Sequence, residues 1–208
     1  MSPVSLGSRQ ITNSKILIVE GVDEENFFKA YFKFLSISDI QVLPIGGKTL
    51  LPDYLDVLIT DSNFISKVQV LAIIRDADNN ANAAFQSVCS ALRNSSLSVP
   101  SAPLQAVGNN LIVNVMIMPP GSSSGMLEDL CLRSVSSDPA LPCLDSYFSC
   151  LLTLPNYSMP KNMSKAKVHA FLSSRIEPDK RLGEAALASY WPFDNVVFDP
   201  LKSFILSL

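Results

Sequence analysis

The fold is decided by residues 68–78, VQVLAIIRDAD, in which a largely apolar run leads into two aspartates. Residues 68–74 contain one polar side chain and lack the alternation of a strand that has one face in water. Such a run is typical of a strand that helices cover on both faces, as in a parallel sheet. Asp76 and Asp78 therefore follow the end of a strand that is predicted to be buried.

The segments around this strand alternate between strand and helix patterns. The predicted strands are short runs rich in β-branched and other apolar residues: 15–19, 40–45, 68–74 and 111–118. The predicted helices between them have apolar residues at helical spacing: 27–35, 49–60 and 81–93. This order implies a mostly parallel sheet with right-handed crossovers.

The second half of the chain has a different character. From residue 125 onward no strand is predicted, and prolines separate four helical patterns: 126–135, 144–152, 164–173 and 183–190. The predicted fold class is α/β, with a mostly parallel sheet flanked by helices and a helical C-terminal half. We expect a single domain over residues 1–208, with an α/β core in 14–120 and a helical extension in 121–208 packed on it.

Composition and charge exclude several classes of protein. The longest strongly apolar runs, 68–74 and 111–118, are far shorter than the roughly 20 apolar residues of a membrane-spanning helix. The N-terminal residues show no secretory signal, so we expect a cytoplasmic protein with no membrane partner. A protein that binds nucleic acid through charge alone is normally basic, whereas this chain has a net charge of −3. Binding to nucleic acid would therefore need local basic patches or metal ions.

The counts of histidine and cysteine limit the possible chemistry. The chain has one histidine, and its four cysteines form no CxxC pair. These counts argue against a histidine-rich zinc site and against a Ser-His-Asp or Cys-His enzyme. Catalysis would have to come from carboxylates, lysines and a hard metal ion.

Carboxylates follow two of the predicted strands. Glu20-Gly21 follows the first strand, and Asp76 and Asp78 follow the third. Because ligands of open α/β sheets bind at the carboxyl ends of the strands, we expect these side chains to share one edge. In an extended backbone, Asp76 and Asp78 would point the same way. Converging carboxylates hold either a proton or a cation, and Mg²⁺ or Mn²⁺ suits a set of oxygen ligands.

Other interpretations of these residues remain open. Asp23 and Asp78 both precede helical patterns, where an acidic side chain is often an ordinary N-cap. Asp76-x-Asp78 also resembles the nucleotide-sugar site of glycosyltransferases, but that interpretation leaves Glu20 unexplained.

Two basic features lie elsewhere in the chain. Gly47-Lys48-Thr49 lacks the first glycine of a phosphate-binding P-loop, so a turn with Lys48 near the acidic edge is the better prediction. Residues 161–181 contain the main basic cluster, which is either a phosphate-binding surface or a solvated helix face.

Several segments carry a family resemblance. The segments ILIVEGVDEENFF (16–28), IGGK (45–48) and LAIIRDADNN (71–80) resemble the Toprim domain of topoisomerases, primases and OLD-type nucleases. That resemblance covers roughly residues 14–120. The stretches AAFQSVCSAL, GMLEDLCL, NMSKAKVHAFL and YWPFD are similar to the rest of a family of bacterial Toprim-like proteins, and this likeness spans nearly the whole chain.

The resemblance implies specific roles for the acidic residues. Toprim domains have a glutamate after the first strand and a DxD motif after the third. By this resemblance Glu20 is that glutamate, and Asp76 and Asp78 are metal-binding aspartates. OLD-type nucleases add a second acidic residue one helical turn after the glutamate, which Glu24 matches.

OLD-type nucleases also use a later acidic residue for a second metal ion and a lysine near the active site. The resemblance makes Glu128, in GMLED, the candidate for that acidic residue. Lys165 and Lys167, in SKAK, are the candidates for the catalytic lysine.

The combined expectation is an enzyme that uses Mg²⁺ or Mn²⁺ to act on phosphodiesters of DNA or RNA, as a nuclease. Glu20, Asp76 and Asp78 would be catalytic and would hold one metal ion. The alternatives are a non-catalytic Toprim-like binding or regulatory module, and a nucleotide-sugar transferase.

Overall fold

The computed structural model describes residues 10–208, which form an α/β fold around one parallel sheet. Its four strands lie in the order β2-β1-β3-β4. Their bounds are β1 Lys15–Val19, β2 Ile40–Pro44, β3 Val70–Asp76 and β4 Ile112–Met118. Because β1 and β3 are direct neighbours, the residues that follow these two strands lie side by side at the carboxyl edge of the sheet.

Helices connect the strands and make up the C-terminal half. In the first half the helices are α1 Val22–Leu35, α2 Leu51–Leu58, α3 Ser62–Lys67 and α4 Ala81–Asn94. In the second half they are α5 Leu127–Ser134, α6 Ala140–Leu151, α7 Met163–Ser173, α8 Leu182–Leu187 and α9 Asp199–Leu206. Short 3-10 turns at Lys48–Leu50 and Val196–Phe198 precede α2 and α9.

The sheet separates two hydrophobic cores. On one face, Ala72 and Ile74 of β3 pack in a core with residues of α1, α5, α7, α8 and α9. On the other face, Leu71 and Ile73 pack in a core with residues of α2, α3 and α4. Since both faces are covered, β3 has no polar face, which explains its continuous apolar sequence.

The C-terminal helices pack on α1 and thereby help to shape the sheet edge. Trp191 is fully buried, stacks on Phe171 of α7 and donates a hydrogen bond from Nε1 to the Leu182 carbonyl at 3.0 Å. At the start of α8, a Cβ atom on Gly183 would lie 2.4 Å from the carbonyl oxygen of Asp23. Glycine is therefore required where α8 crosses the first turn of α1.

The predicted fold class is confirmed: the sheet is parallel, helices flank it, and the C-terminal half is helical. Two helices, α3 and α9, were not predicted. Each is short, and the Asp61 side chain stabilises α3 by accepting hydrogen bonds from the Asn63 and Phe64 amides. Among residues 10–208, no helix is long and apolar enough to cross a membrane. The expectation about a secretory signal falls largely on residues 1–9, which lie outside the described residues.

Candidate functional site

Glu20 and Asp76 meet at the carboxyl edge of the sheet. The Asp76 amide donates a hydrogen bond to Oε1 of Glu20 at 3.3 Å. This contact is possible because β1 and β3 are parallel neighbours in register, with Ile18 opposite Ile73. The structure thus brings together the ends of the two strands that sequence patterns singled out.

Asp76 lies among other carboxylates in a partly buried position. Its Oδ1 accepts a hydrogen bond from the amide of Leu127, at the start of α5, at 3.1 Å. Burial is the largest cause that raises the pKa of Asp76 well above its usual range, followed by the charges of Glu20, Glu128 and Glu24. We call Glu20, Glu24, Asp76 and Glu128 the acidic cluster. Its negative charges repel one another, so a cation would be stabilised there.

Glu24 and Glu128 join the acidic cluster from the first turns of two helices, α1 and α5. Burial, followed by the charges of Glu20 and Glu128, raises the pKa of Glu24 despite an opposing backbone hydrogen bond. The two helices bring their N-terminal turns to the same place because both pack on the same face of the sheet.

Lys165 forms an ion pair with Glu128. Its ammonium lies 3.6 Å from Oε1 of Glu128. Burial lowers the pKa of Lys165, but the charges of Glu128, Glu24 and Asp76 outweigh that effect and raise it. The start of α7, where the Asn162 side chain caps the Lys165 amide, therefore lies at the rim of the acidic cluster.

Lys167 points elsewhere, although it is only two residues from Lys165. Its ammonium lies 2.6 Å from Oδ1 of Asp145, on α6. Two residues along an α-helix correspond to a rotation of about 200°, so neighbouring positions of this spacing face opposite sides. Lys167 thus pairs with α6, and Lys165 pairs with the acidic cluster.

Asp78 departs from the direction of Asp76 because the backbone is not extended there. Its φ angle of 50° lies in the left-handed region. Its Oδ2 lies 2.7 Å from the Lys48 ammonium and 3.4 Å from the Arg75 guanidinium. Although burial opposes the change, these two cations lower the pKa of Asp78. The extended geometry expected for the DxD motif is therefore absent, and Asp78 sits in a charge-balanced group.

Arg75 links that group to the acidic cluster, and sequence reasoning missed it. Its Nε donates to Oε1 of Glu20 at 2.9 Å, while its guanidinium also reaches Asp78. Arg75 is buried at the end of β3. The sequence feature that could have revealed it is the position of this arginine between an apolar strand and the DxD motif. A buried arginine needs a carboxylate partner, so a pairing with a nearby acid could have been predicted.

The donor atoms of the acidic cluster fit a hard metal ion, because they are all carboxylate oxygens. In the part of the chain that the structure describes, no three acidic, histidine or cysteine side chains stand close enough together to hold an ion. Binding would therefore have to draw the carboxylates inward, with Glu20 released in part from Arg75. Glu20, Glu24, Asp76 and Glu128 would be the ligands. The charge of Asp78 is already balanced, because Lys48 and Arg75 both contact its Oδ2.

Fold and site together define an α/β protein with an acidic cluster at the carboxyl edge of a parallel sheet. Residues 14–208 match the model of the family described as "Protein of unknown function (DUF3226)", and the chain belongs to that family. No curated protein and no solved structure matched the chain.

Proposed function

We propose that this protein is a Mg²⁺- or Mn²⁺-dependent enzyme of the Toprim type that acts on phosphodiester bonds of DNA or RNA, as a nuclease. The observation that carries the proposal is the environment of Asp76. Burial and three neighbouring carboxylates raise its pKa, so the ionised cluster is unfavourable unless a cation joins it. The resemblance to Toprim domains supports the proposal, because Glu20 after β1 and Asp76 at the end of β3 would correspond to their glutamate and to the first aspartate of their DxD motif.

The residues of the site suit distinct tasks in such a reaction. The acidic cluster would supply oxygen ligands from β3, from the turn after β1, and from α1 and α5. A bound Mg²⁺ or Mn²⁺ would supply Lewis-acid stabilisation of a phosphoryl oxygen. Lys165 would place a positive charge at the rim, where it can bind a phosphate oxygen as charge develops.

Calorimetry tests whether the acidic cluster binds a cation. The wild type is titrated with Mn²⁺ beside Asp76→Asn and the control Asp53→Asn, which changes an exposed aspartate at the start of α2. Residues that merely orient metal ligands typically contribute about 10–100-fold to affinity, so losing a direct ligand should weaken binding at least as much. Asp53→Asn should leave the affinity for Mn²⁺ unchanged. Equal Mn²⁺ affinity in Asp76→Asn and the wild type would remove Asp76 from the ligand set.

Cleavage is then measured on supercoiled plasmid DNA and on single-stranded RNA, each with Mn²⁺ or with a chelator. The proposal expects nicking of one substrate that the chelator and Asp76→Asn both abolish. Cleavage that survives Asp76→Asn would point to a contaminating nuclease and contradict the proposal.

A second candidate is a binding or regulatory module that keeps this fold without turnover. The observation that favours it is that the protein's own cations neutralise two carboxylates at the carboxyl edge of the sheet. Arg75 pairs with Glu20 and Asp78, and Lys48 pairs with Asp78. Two of the expected metal ligands thus have partners already. Mn²⁺ binding without cleavage of either nucleic acid would favour the module, and metal-dependent nicking would eliminate it.

We also propose a cytoplasmic location. Within the described residues the four cysteines are free thiols, which suits a reducing compartment. Fractionation of cells that produce the tagged protein tests this expectation.

A further inference from the structure

Arg75 is a positive charge built into the carboxyl edge of the sheet. Only 8% of the residue is exposed, although it lies at the end of β3. Its Nε lies 2.9 Å from Oε1 of Glu20, and its Nη2 lies 3.4 Å from Oδ2 of Asp78. A buried guanidinium needs such carboxylate partners, because taking it out of water is costly. In this structure Arg75 thus pairs with a carboxylate, Glu20, that the proposed function assigns to a metal ion.

Arg75 reaches Glu20 from the face of the sheet opposite the acidic cluster. Side chains alternate along a strand, so Arg75 lies on the same face as Ile73, which packs in the core with α2, α3 and α4. Asp76 lies on the same face as Ile74, which packs in the core with α1 and α5. A metal ion in the acidic cluster and the Arg75 guanidinium would therefore pull the Glu20 carboxylate in opposite directions.

Arg75 has space to withdraw from Glu20. A cavity of about 250 Å³ adjoins it, and Asp78 lines this cavity together with Asn80 and Ala84 from the start of α4. That volume far exceeds the roughly 30 Å³ that one water molecule takes up in the liquid, so a guanidinium can move within it. Because Asp78 already contacts Arg75, the guanidinium can keep one carboxylate partner after it leaves Glu20.

We propose that Arg75 is an internal competitor of the metal ion. In the metal-free protein it holds Glu20 by an ion pair, and when Mg²⁺ or Mn²⁺ binds it releases Glu20 and moves toward Asp78. This inference rests on the proposed function and names the regulation of its metal site. Arg75 weakens metal binding and stabilises the metal-free fold. A residue that only supported the fold would leave metal affinity unchanged, and one that oriented Glu20 for the metal would strengthen it.

Calorimetric titration of Arg75→Met with Mn²⁺ measures this competition. Methionine is flexible and fills much of the same space without the charge. Hydrogen bonds to charged groups are strong enough for about a tenfold effect, so Arg75→Met should bind Mn²⁺ about tenfold or more tightly than the wild type. Arg75→Lys keeps the positive charge and should resemble the wild type more than Arg75→Met. Equal or weaker binding of Mn²⁺ by Arg75→Met than by the wild type would overturn the proposal.

The matched control is Arg175→Met. This change also separates a partly buried arginine from a carboxylate, that of Asp138. Arg175 follows the end of α7, whereas Lys165, at the rim of the acidic cluster, lies in its first turn. Because effects at separate sites are nearly independent, Arg175→Met should leave the affinity for Mn²⁺ within about twofold of the wild type.

Thermal melting gives a second measurement, because a ligand that binds only the folded protein raises Tm by an amount that grows with its affinity. Without metal, Arg75→Met should melt below the wild type, since the carboxylates of Glu20 and Asp78 lose a partner. The same concentration of Mn²⁺ should then raise Tm more in Arg75→Met than in the wild type. An equal or smaller rise in the variant would contradict the proposal.

The wild-type protein tests the movement itself and does not depend on how a variant folds. The Nε–Hε resonance of Arg75 is assigned through its bonds to the backbone and followed by NMR during a titration with Mg²⁺, which is not paramagnetic. We expect this resonance to shift as the hydrogen bond to Glu20 breaks. A resonance that stays in place when the protein is saturated with Mg²⁺ would mean that Arg75 remains on Glu20, and would overturn the proposal.

The outcomes separate this inference from the proposed function. Binding of Mn²⁺ that depends on Asp76 but is not strengthened in Arg75→Met would reject the inference alone. Tighter binding in Arg75→Met, without cleavage of nucleic acid by either protein, would support the inference and reject the nuclease. Absence of Mn²⁺ binding in both proteins would reject both.

Discussion

Replacing Asn114 with valine is expected to stabilise the protein. Asn114 lies in the middle of β4, opposite Ala72 of β3, and only 3% of it is exposed. Its Oδ1 is buried and has no hydrogen-bond partner within the described residues. A buried polar atom left without a partner costs about 1–3 kcal/mol, because it has lost its bonds to water and gained none.

The size of the effect follows from that cost. Valine removes the amide, suits a strand and is small enough to avoid overpacking the core. We expect the free energy of unfolding to rise by about 1–3 kcal/mol. For a chain of this length, each 1 kcal/mol raises Tm by about 2–4 °C.

Denaturant unfolding and thermal melting measure the change. Asn110→Val, at an exposed position before β4, is the matched control and should stay within about 0.5 kcal/mol of the wild type. Asn114→Asp should destabilise the protein, since it buries a charge. A lower stability for Asn114→Val would refute the reasoning, because it would mean that Oδ1 has a partner such as an ordered water.

Two further predictions concern stability. A backbone amide at the start of α6 and the Arg175 guanidinium lower the pKa of Asp138 below its ordinary value of 3.8, although burial opposes them. The ionised Asp138 therefore stabilises the folded protein above that value, and this stabilisation is lost as pH falls through the lowered pKa. Thermal melts from pH 6 downward should therefore show a smaller acid-induced loss for Asp138→Asn, and an identical slope in both proteins would contradict this. Gly183→Ala should lose about 1–3 kcal/mol in denaturant unfolding, because its Cβ would meet the Asp23 carbonyl oxygen at 2.4 Å; unchanged stability would show that α8 can move away from α1.

Local patterns were sufficient to predict most strands. The prediction for residues 15–19 matches β1 at both ends, and β4 differs from its prediction by one residue at its start. These segments are short, apolar and β-branched, so their own composition favours a strand buried on both faces. The placement of Glu20 and Asp76 at one edge also followed from sequence, because parallel strands have their carboxyl ends on the same side.

Other features depended on contacts between distant parts of the chain. Asp76 and Asp78 diverge because Asp78 adopts a left-handed conformation, in which its carbonyl accepts the Gly125 amide and its carboxylate meets Lys48. No spacing rule within the DxD motif contains those partners. The motif predicts which residues lie at the edge, but not which way each carboxylate points.

The different roles of Lys165 and Lys167 were beyond sequence reasoning for the same reason. In the stretch SKAK, Lys165 and Lys167 look equivalent. Their roles separate only when α7 and α8 pack on α1 and α5, which turns Lys165 toward Glu128 and Lys167 toward α6. Local sequence thus determined the strands and the acidic edge, since these depend on backbone preference and burial. The tertiary structure decided which charges neutralise one another, because Coulomb interactions depend on distances that only packing sets.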